Sequence, residues 1–100
     1  MKTNDVRQSI IKTCDGIKEM LLAKNADYGN SALDPIRVFS SVDNIEQIKV
    51  RLDDKLSRIK NLQGKEGKVQ SESNMDTIKD TVGYLILLLI AIDSVQDKDE

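Results

Sequence analysis

The sequence predicts an all-α protein of three main helices, with a short helical turn after the first loop and a bundle completed by oligomerisation. Three observations carry this expectation. Apolar residues recur at alternating spacings of three and four in three separate segments. The 100 residues are 39% hydrophobic and 32% charged but only 3% aromatic, with a single Pro, which is a helical composition and the size of one domain over residues 1–100. Finally, from Leu85 to Ile92 apolar residues occupy every face of a helix, so that segment needs neighbours on all sides. Folding at this length buries roughly 60–68% of the chain surface, and a lone protomer would be marginal.

The first helix is expected from about Asn4 to Ala23. Val6, Ile10, Cys14, Ile17 and Leu21 form its stripe, with Thr3 or Asn4 as N-cap and Cys14 buried and inert. Turn formers follow in Asn25-Ala26-Asp27-Tyr28-Gly29-Asn30-Ser31, and Asp34-Pro35 opens a helical turn around Ile36 to Phe39. A loop of this length in so small a domain signals function or a fold irregularity. The second helix starts near Ser41 or Asp43 and ends by Gly64, with Ile45, Ile48, Leu52, Leu56, Ile59 and Gln63 in period. Gln63 to Ser71 has two glycines and no period, and is expected to be a solvated connection between antiparallel helices. The third helix is expected to start at a capping box, Ser73-Asn74-Met75-Asp76, and to bury Met75, Ile78, Val82, Leu85, Leu89 and Ile92. The charged tail, Gln96 to Glu100, is expected to fray.

The absences narrow the chemistry. With no His there is no Ser-His-Asp or Cys-His pair, no His-ligated zinc and no imidazole base, so reactive groups must be carboxylates, Lys or Arg. The lone Cys forms no intramolecular disulfide, which fits a reducing compartment. Fifteen basic and 17 acidic residues are intermixed for a net charge of −2, which argues against a phosphate-tracking groove, so no direct DNA or RNA binding is expected. The start is too polar for a signal peptide, and Val82 to Ile92 falls well short of the ~20 residues that span a bilayer.

Glu72, Asp76 and Asp80 recur every four residues and stack along one edge of the third helix and its first turn, and Gly83 continues that edge. Like charges so placed repel unless solvent or a cation compensates them, and an oxygen-only cluster suits a hard ion such as Mg²⁺. The same carboxylates also serve the macrodipole at a helix start, and a capping box alone accounts for Asp76. On the second helix, Asp53 and Asp54 offer a facing acidic edge. Arg51, Asp54, Lys55 and Arg58 form either a solvated face with one i,i+4 ion pair or a set in which Lys55 and Arg58 hold phosphate oxygens. Asp27, Tyr28 and Asn30 either make a turn around Gly29 or stack on and read a base.

Three blocks carry a resemblance over nearly the whole chain. Lys24-Asn25-Ala26-Asp27-Tyr28-Gly29-Asn30-Ser31, Arg51-Leu52-Asp53-Asp54-Lys55-Leu56-Ser57-Arg58-Ile59 and Glu72-Ser73-Asn74-Met75-Asp76-Thr77-Ile78-Lys79-Asp80-Thr81-Val82-Gly83-Tyr84 occur in the order of the phage and prophage family called nucleotide modification associated domain 1. That family is distantly similar to the all-α, MazG-like nucleoside triphosphate pyrophosphohydrolases, which hold Mg²⁺ on helix-borne acidic pairs. The resemblance implies hydrolysis of a (deoxy)nucleoside triphosphate to monophosphate and pyrophosphate, in the cytoplasm of a bacterial host. It implies Asp54, Glu72, Asp76 and Asp80 as metal ligands, with Asp54 and Asp80 catalytic. It implies Lys55 and Arg58 on the phosphates, Asp27, Tyr28 and Asn30 on the base, and a homodimer or homotetramer as the working unit. The usual Glu-x-x-Glu pair is absent around Asp53-Asp54, which leaves Asp54 alone at that position. A degenerate metal site of this kind also suits a non-catalytic nucleotide binder or a sequestering oligomer.

Overall fold

In the computed structural model, described for residues 2–29, 33, 39, 42–62 and 68–98, the chain folds into three helices. These are α1 (Thr3–Tyr28), α2 (Asn44–Leu62) and α3 (Lys68–Lys98). No strand occurs among the described residues, and the all-α expectation holds. The turn expected after Asp34-Pro35 and the stop at Gly64 lie outside the described residues.

α1 is longer than expected at both ends. Its first bond runs from the Val6 N–H to the Lys2 carbonyl at 3.1 Å, and Lys2 takes the N-cap place without a side-chain bond. Thr3 and Asn4 therefore lie within the first turn instead of capping it. Asn25 to Tyr28, expected in the loop, continue the helix, because the first residue that breaks it is Gly29. Gly29 has φ +65° and ψ −146°, a backbone region open almost only to glycine. Its N–H donates to the Asn25 carbonyl at 2.8 Å, and the Asn25 side-chain amide donates to the Gly29 carbonyl at 3.1 Å.

α2 begins where its cap predicts. The Asp43 carboxylate accepts the Glu46 N–H at 2.9 Å, an N-cap bond worth about 1 kcal/mol. Its inward stripe passes through Ile45, Ile48 and Leu52 and then through Lys55 and Ile59, while Leu56, expected inside, is exposed. α3 starts at Lys68, just after Gly67, the last breaker before its apolar run. Ser73 to Asp76 are thus helix interior, and the expected capping box does not form. The same shift makes helix of residues 68–71, expected in the solvated connection.

α2 and α3 pack antiparallel, as expected: Lys55 pairs with Asp80, while Ile48 and Leu52 meet Ala91 with Tyr84 and Leu88 beside them. Ile45 and Leu33 close that end, and the Asn44 amide donates to the Leu33 carbonyl. The α3 face turned to α2 is Thr77, Thr81, Tyr84, Leu88 and Ala91, all buried or half-buried. The expected core stripe of Met75, Ile78, Val82, Leu85, Leu89 and Ile92 is instead exposed within the protomer.

α1 docks only by its C-terminal half. Ile17 is buried, and Leu21 and Met20 lie against Gly83, where a Cβ would meet Leu21 Cδ2 at 3.0 Å and Met20 Cε at 3.4 Å. The glycine permits this approach. Val6, Ile10 and Cys14, which continue the stripe toward the N-terminus, are exposed, so the expectation of a buried thiol is corrected: α1 leaves α3 before it reaches Cys14. No helix among the described residues is long and apolar enough to cross a membrane.

Candidate functional site where three helices meet

On α1 the inward stripe runs Ile17, Leu21, Lys24, and on α2 it runs Ile48, Leu52, Lys55 before reaching Ile59. Both follow a four-then-three spacing, so each lysine takes the position that another core residue would occupy. The two lysines converge on one carboxylate of α3. Lys24 Nζ donates to Asp80 Oδ1 at 3.0 Å, and Lys55 Nζ donates to Oδ2 at 3.4 Å. One ion-paired cluster thereby ties together all three helices.

Its members differ in exposure. The Lys55 side chain is 18% exposed and that of Asp80 28%, whereas Lys24 reaches in from the surface at 51%. Partial burial pushes the Asp80 carboxyl up, but the hydrogen bond and charge of Lys24, then the charge and hydrogen bond of Lys55, outweigh it and hold the group below its ordinary value of 3.8. Two ammonium groups against one carboxylate leave the cluster with a net charge of +1. Arg51 and Arg58 lie four residues before and three after Lys55, on the same side of α2, and both are exposed. Arg58 is offset by Asp54, and Asp76 stands one turn before Asp80, so the surplus positive charge belongs to the lysine pair.

The expected site residues divide accordingly. Asp80 and Lys55 come together, joined by Lys24, for which no site role was expected. Its signal was its step in the Ile17–Leu21 spacing. Arg58 Nε pairs with Asp54 Oδ2 at 3.5 Å, in the i,i+4 geometry expected, with both side chains more than half exposed. Asp54 is engaged there and not with Asp80. Asp76 is exposed one turn before Asp80, Asp53 is exposed on α2, and among the described residues the two acidic edges do not gather into one cluster. Asp27 is exposed one turn beyond Lys24, at the end of α1. Asn30 lies outside the described residues, as do the side chains of Tyr28 and Glu72.

A divalent cation finds little here. Among the described residues no three acidic or sulfur side chains gather in a way that holds a metal ion, and both oxygens of Asp80 already accept from lysines. Mg²⁺ needs several oxygens in near-octahedral array, and two ammonium groups against the Asp80 carboxylate repel a further cation. The described donors do not fit the ion, and they fit an anionic oxygen well. Near the α3 end of this region, the Asn74 side-chain oxygen is buried without a hydrogen-bond partner, and the Thr81 hydroxyl donates to the Thr77 carbonyl at 2.7 Å.

The sequence profile of the family described as nucleotide modification associated domain 1 matches residues 24–92, a segment that holds Lys24, Lys55 and Asp80. No curated protein and no solved structure gives a match.

Proposed function

We propose that this chain, which belongs to the nucleotide modification associated domain 1 family, binds a nucleotide by its phosphates at the three-helix junction. The observation that carries the reading is the pair of lysines from α1 and α2 meeting on Asp80, with a net positive charge left over. Asp80 holds the two ammonium groups in place, and each has donor capacity beyond its one bond to that carboxylate. Lys55, Arg58 and Lys24 supply donors to phosphate oxygens, with the planar Arg58 fork suited to two oxygens at once. Asp27, exposed one turn past Lys24, supports a role for Asp27, Tyr28 and Asn30 in base recognition.

A second reading is Mg²⁺-dependent hydrolysis of a (deoxy)nucleoside triphosphate to monophosphate and pyrophosphate. It is supported by the position of Asp80 beside two phosphate-seeking cations, with Asp76 one turn away. The described donors do not suit the metal, which weighs against this reading.

One experiment separates the two. Mono-, di- and triphosphates of the common and modified deoxynucleosides are added with and without Mg²⁺, and both melting temperature and pyrophosphate release are followed. The binding reading expects stabilisation that grows with phosphate number, persists in EDTA and is lost in Lys24→Gln/Lys55→Gln. Release of pyrophosphate that needs Mg²⁺ and disappears in Asp80→Asn would replace it with the hydrolytic one. Absence of any thermal shift or turnover would overturn both.

A further inference from the structure

Three faces of α3 can be told apart by what covers them. Tyr84, Leu88 and Ala91 pack on α2, with buried Thr77 and Thr81 in the same register; Gly83 faces α1, and Asp80 lies between, bonded to a lysine of each. The third face holds Met75, Ile78, Val82, Leu85, Leu89 and Ile92, all large, apolar and between 37% and 69% exposed. Their 3-4-3-4-3 spacing is unbroken over about 26 Å of helix, the pattern of a coiled-coil seam.

The protomer has surface to spare. It exposes 8088 Å², whereas a folded monomer of 11.2 kDa exposes about 5,700 Å². Its radius of gyration is 16.1 Å, against about 13 Å for a chain of this length. The excess area is larger than the ~800 Å² per partner that a stable interface buries.

We infer that a second copy of this chain covers this face, with α3 lying antiparallel to the partner's α3 across a two-fold axis near residues 82–85. The spacing reads the same in both directions, so the axis sets Val82 against the partner's Leu85, Ile78 against the partner's Leu89 and Met75 against the partner's Ile92. Charge selects this direction. Lys79 and Asp93 flank the stripe, both exposed and without an ion pair among the described residues. Antiparallel pairing brings Lys79 toward the partner's Asp93, twice by symmetry, with half-buried Ile86 near its own counterpart. A parallel pair would set Lys79 beside the partner's Asn74 and Asp93 beside the partner's Leu88.

The inference does not depend on nucleotide binding, so the two fail separately. Light scattering on the intact protein should give twice the 11.2 kDa chain mass at micromolar concentration. Leu85→Glu should weaken the dimer by roughly 100-fold or more, because it places a charge opposite an apolar layer. Its helical circular dichroism should persist, since Leu85 is exposed in the protomer, and Leu89→Lys at a still more exposed position gives an independent check. Direction is read in a Cys14→Ser background. A Met75→Cys chain and an Ile92→Cys chain should cross-link to each other on mixing and oxidation, and neither to itself. Self-linking of either chain would overturn the antiparallel arrangement. A wild-type monomer at all concentrations, or dimers that survive both charged substitutions, would overturn the interface.

Discussion

The two long faces of α3 invert the usual order of a protein interior. The face that packs on α2 is mixed, with Thr77 and Thr81 buried at 8% and 7% in line with Tyr84, Leu88 and Ala91, whereas the face made only of large apolar side chains is open. Hydrophobic periodicity identifies a surface that must be covered; it does not say by what. Small residues let α2 approach closely, and the lysine–carboxylate cluster replaces apolar contact at one end of that seam. The large residues are left for an interface beyond the protomer.

Stability should divide along the same line, and the largest effect belongs to the apolar end of the inner face. Ile48 is 1% exposed and central to the cluster with Leu52 and Ala91, so Ile48→Ala is expected to cost about 2–5 kcal/mol. For a domain of this size that lowers the melting temperature by roughly 8 °C or more. A loss under ~1 kcal/mol would mean that the α2–α3 contact contributes little, and the comparison of faces would collapse.

The polar end comes next. Asp80→Asn removes the charge that separates two ammonium groups and should cost about 1–3 kcal/mol, a range that reflects partial burial. The pH dependence has a definite sign. Because the carboxyl is held low in the folded state, its contribution is complete above its unfolded value of 3.8 and fades as the pH falls through the lower folded value. Acid melting curves of the wild type should therefore drop below pH 3.8 more steeply than those of Asp80→Asn. Parallel curves would show that the lysines do not act on Asp80 in solution.

Much of this was legible in the sequence, for reasons that also mark where it stopped. Helix content, the start of α2 at Asp43 and the antiparallel α2–α3 pair follow from local signals: caps, breakers and period. Element ends failed where polar residues such as Asn25 and Asp27 resemble turn formers but meet no glycine until Gly29. Burial failed on α3 because two stripes have helical period, and the richer one is not the one α2 covers. Asp80 stood out from the four-residue spacing it shares with Glu72 and Asp76, and Lys55 was noted beside Arg58 as a candidate for phosphate oxygens, but neither was expected to pair with the other. What hid the cluster is that a lysine in core register looks, by residue type, like a surface lysine; only the shared Ile-Leu-Lys spacing of α1 and α2 gave it away.

Where α1 meets α3 the balance is finer. Gly83→Ala gains up to about 1 kcal/mol of helix propensity, yet its methyl must push aside the end of the Leu21 side chain, 3.0 Å from the new Cβ. The two effects should nearly cancel, leaving thermal stability within about 1 kcal/mol of the wild type. A loss beyond ~2 kcal/mol would show that α1 is held more tightly than a helix docked by one half should be.

The smallest change tests whether the inner face needs its polarity. The Thr81 hydroxyl donates to the Thr77 carbonyl at 2.7 Å, an acceptor that α3 already engages through its own backbone. Thr81→Val therefore strands no donor, keeps the β-branched shape and places a methyl where the hydroxyl lay. The lost bond is worth about 0.5–1.5 kcal/mol and the added apolar group about 0.8 kcal/mol in the opposite sense, so chemical denaturation should show a change within roughly 0.5 kcal/mol. If so, the threonines serve α2 by size, and the contrast between the faces is one of volume. A cost above ~2 kcal/mol would mean that the hydroxyl has a further task at the junction.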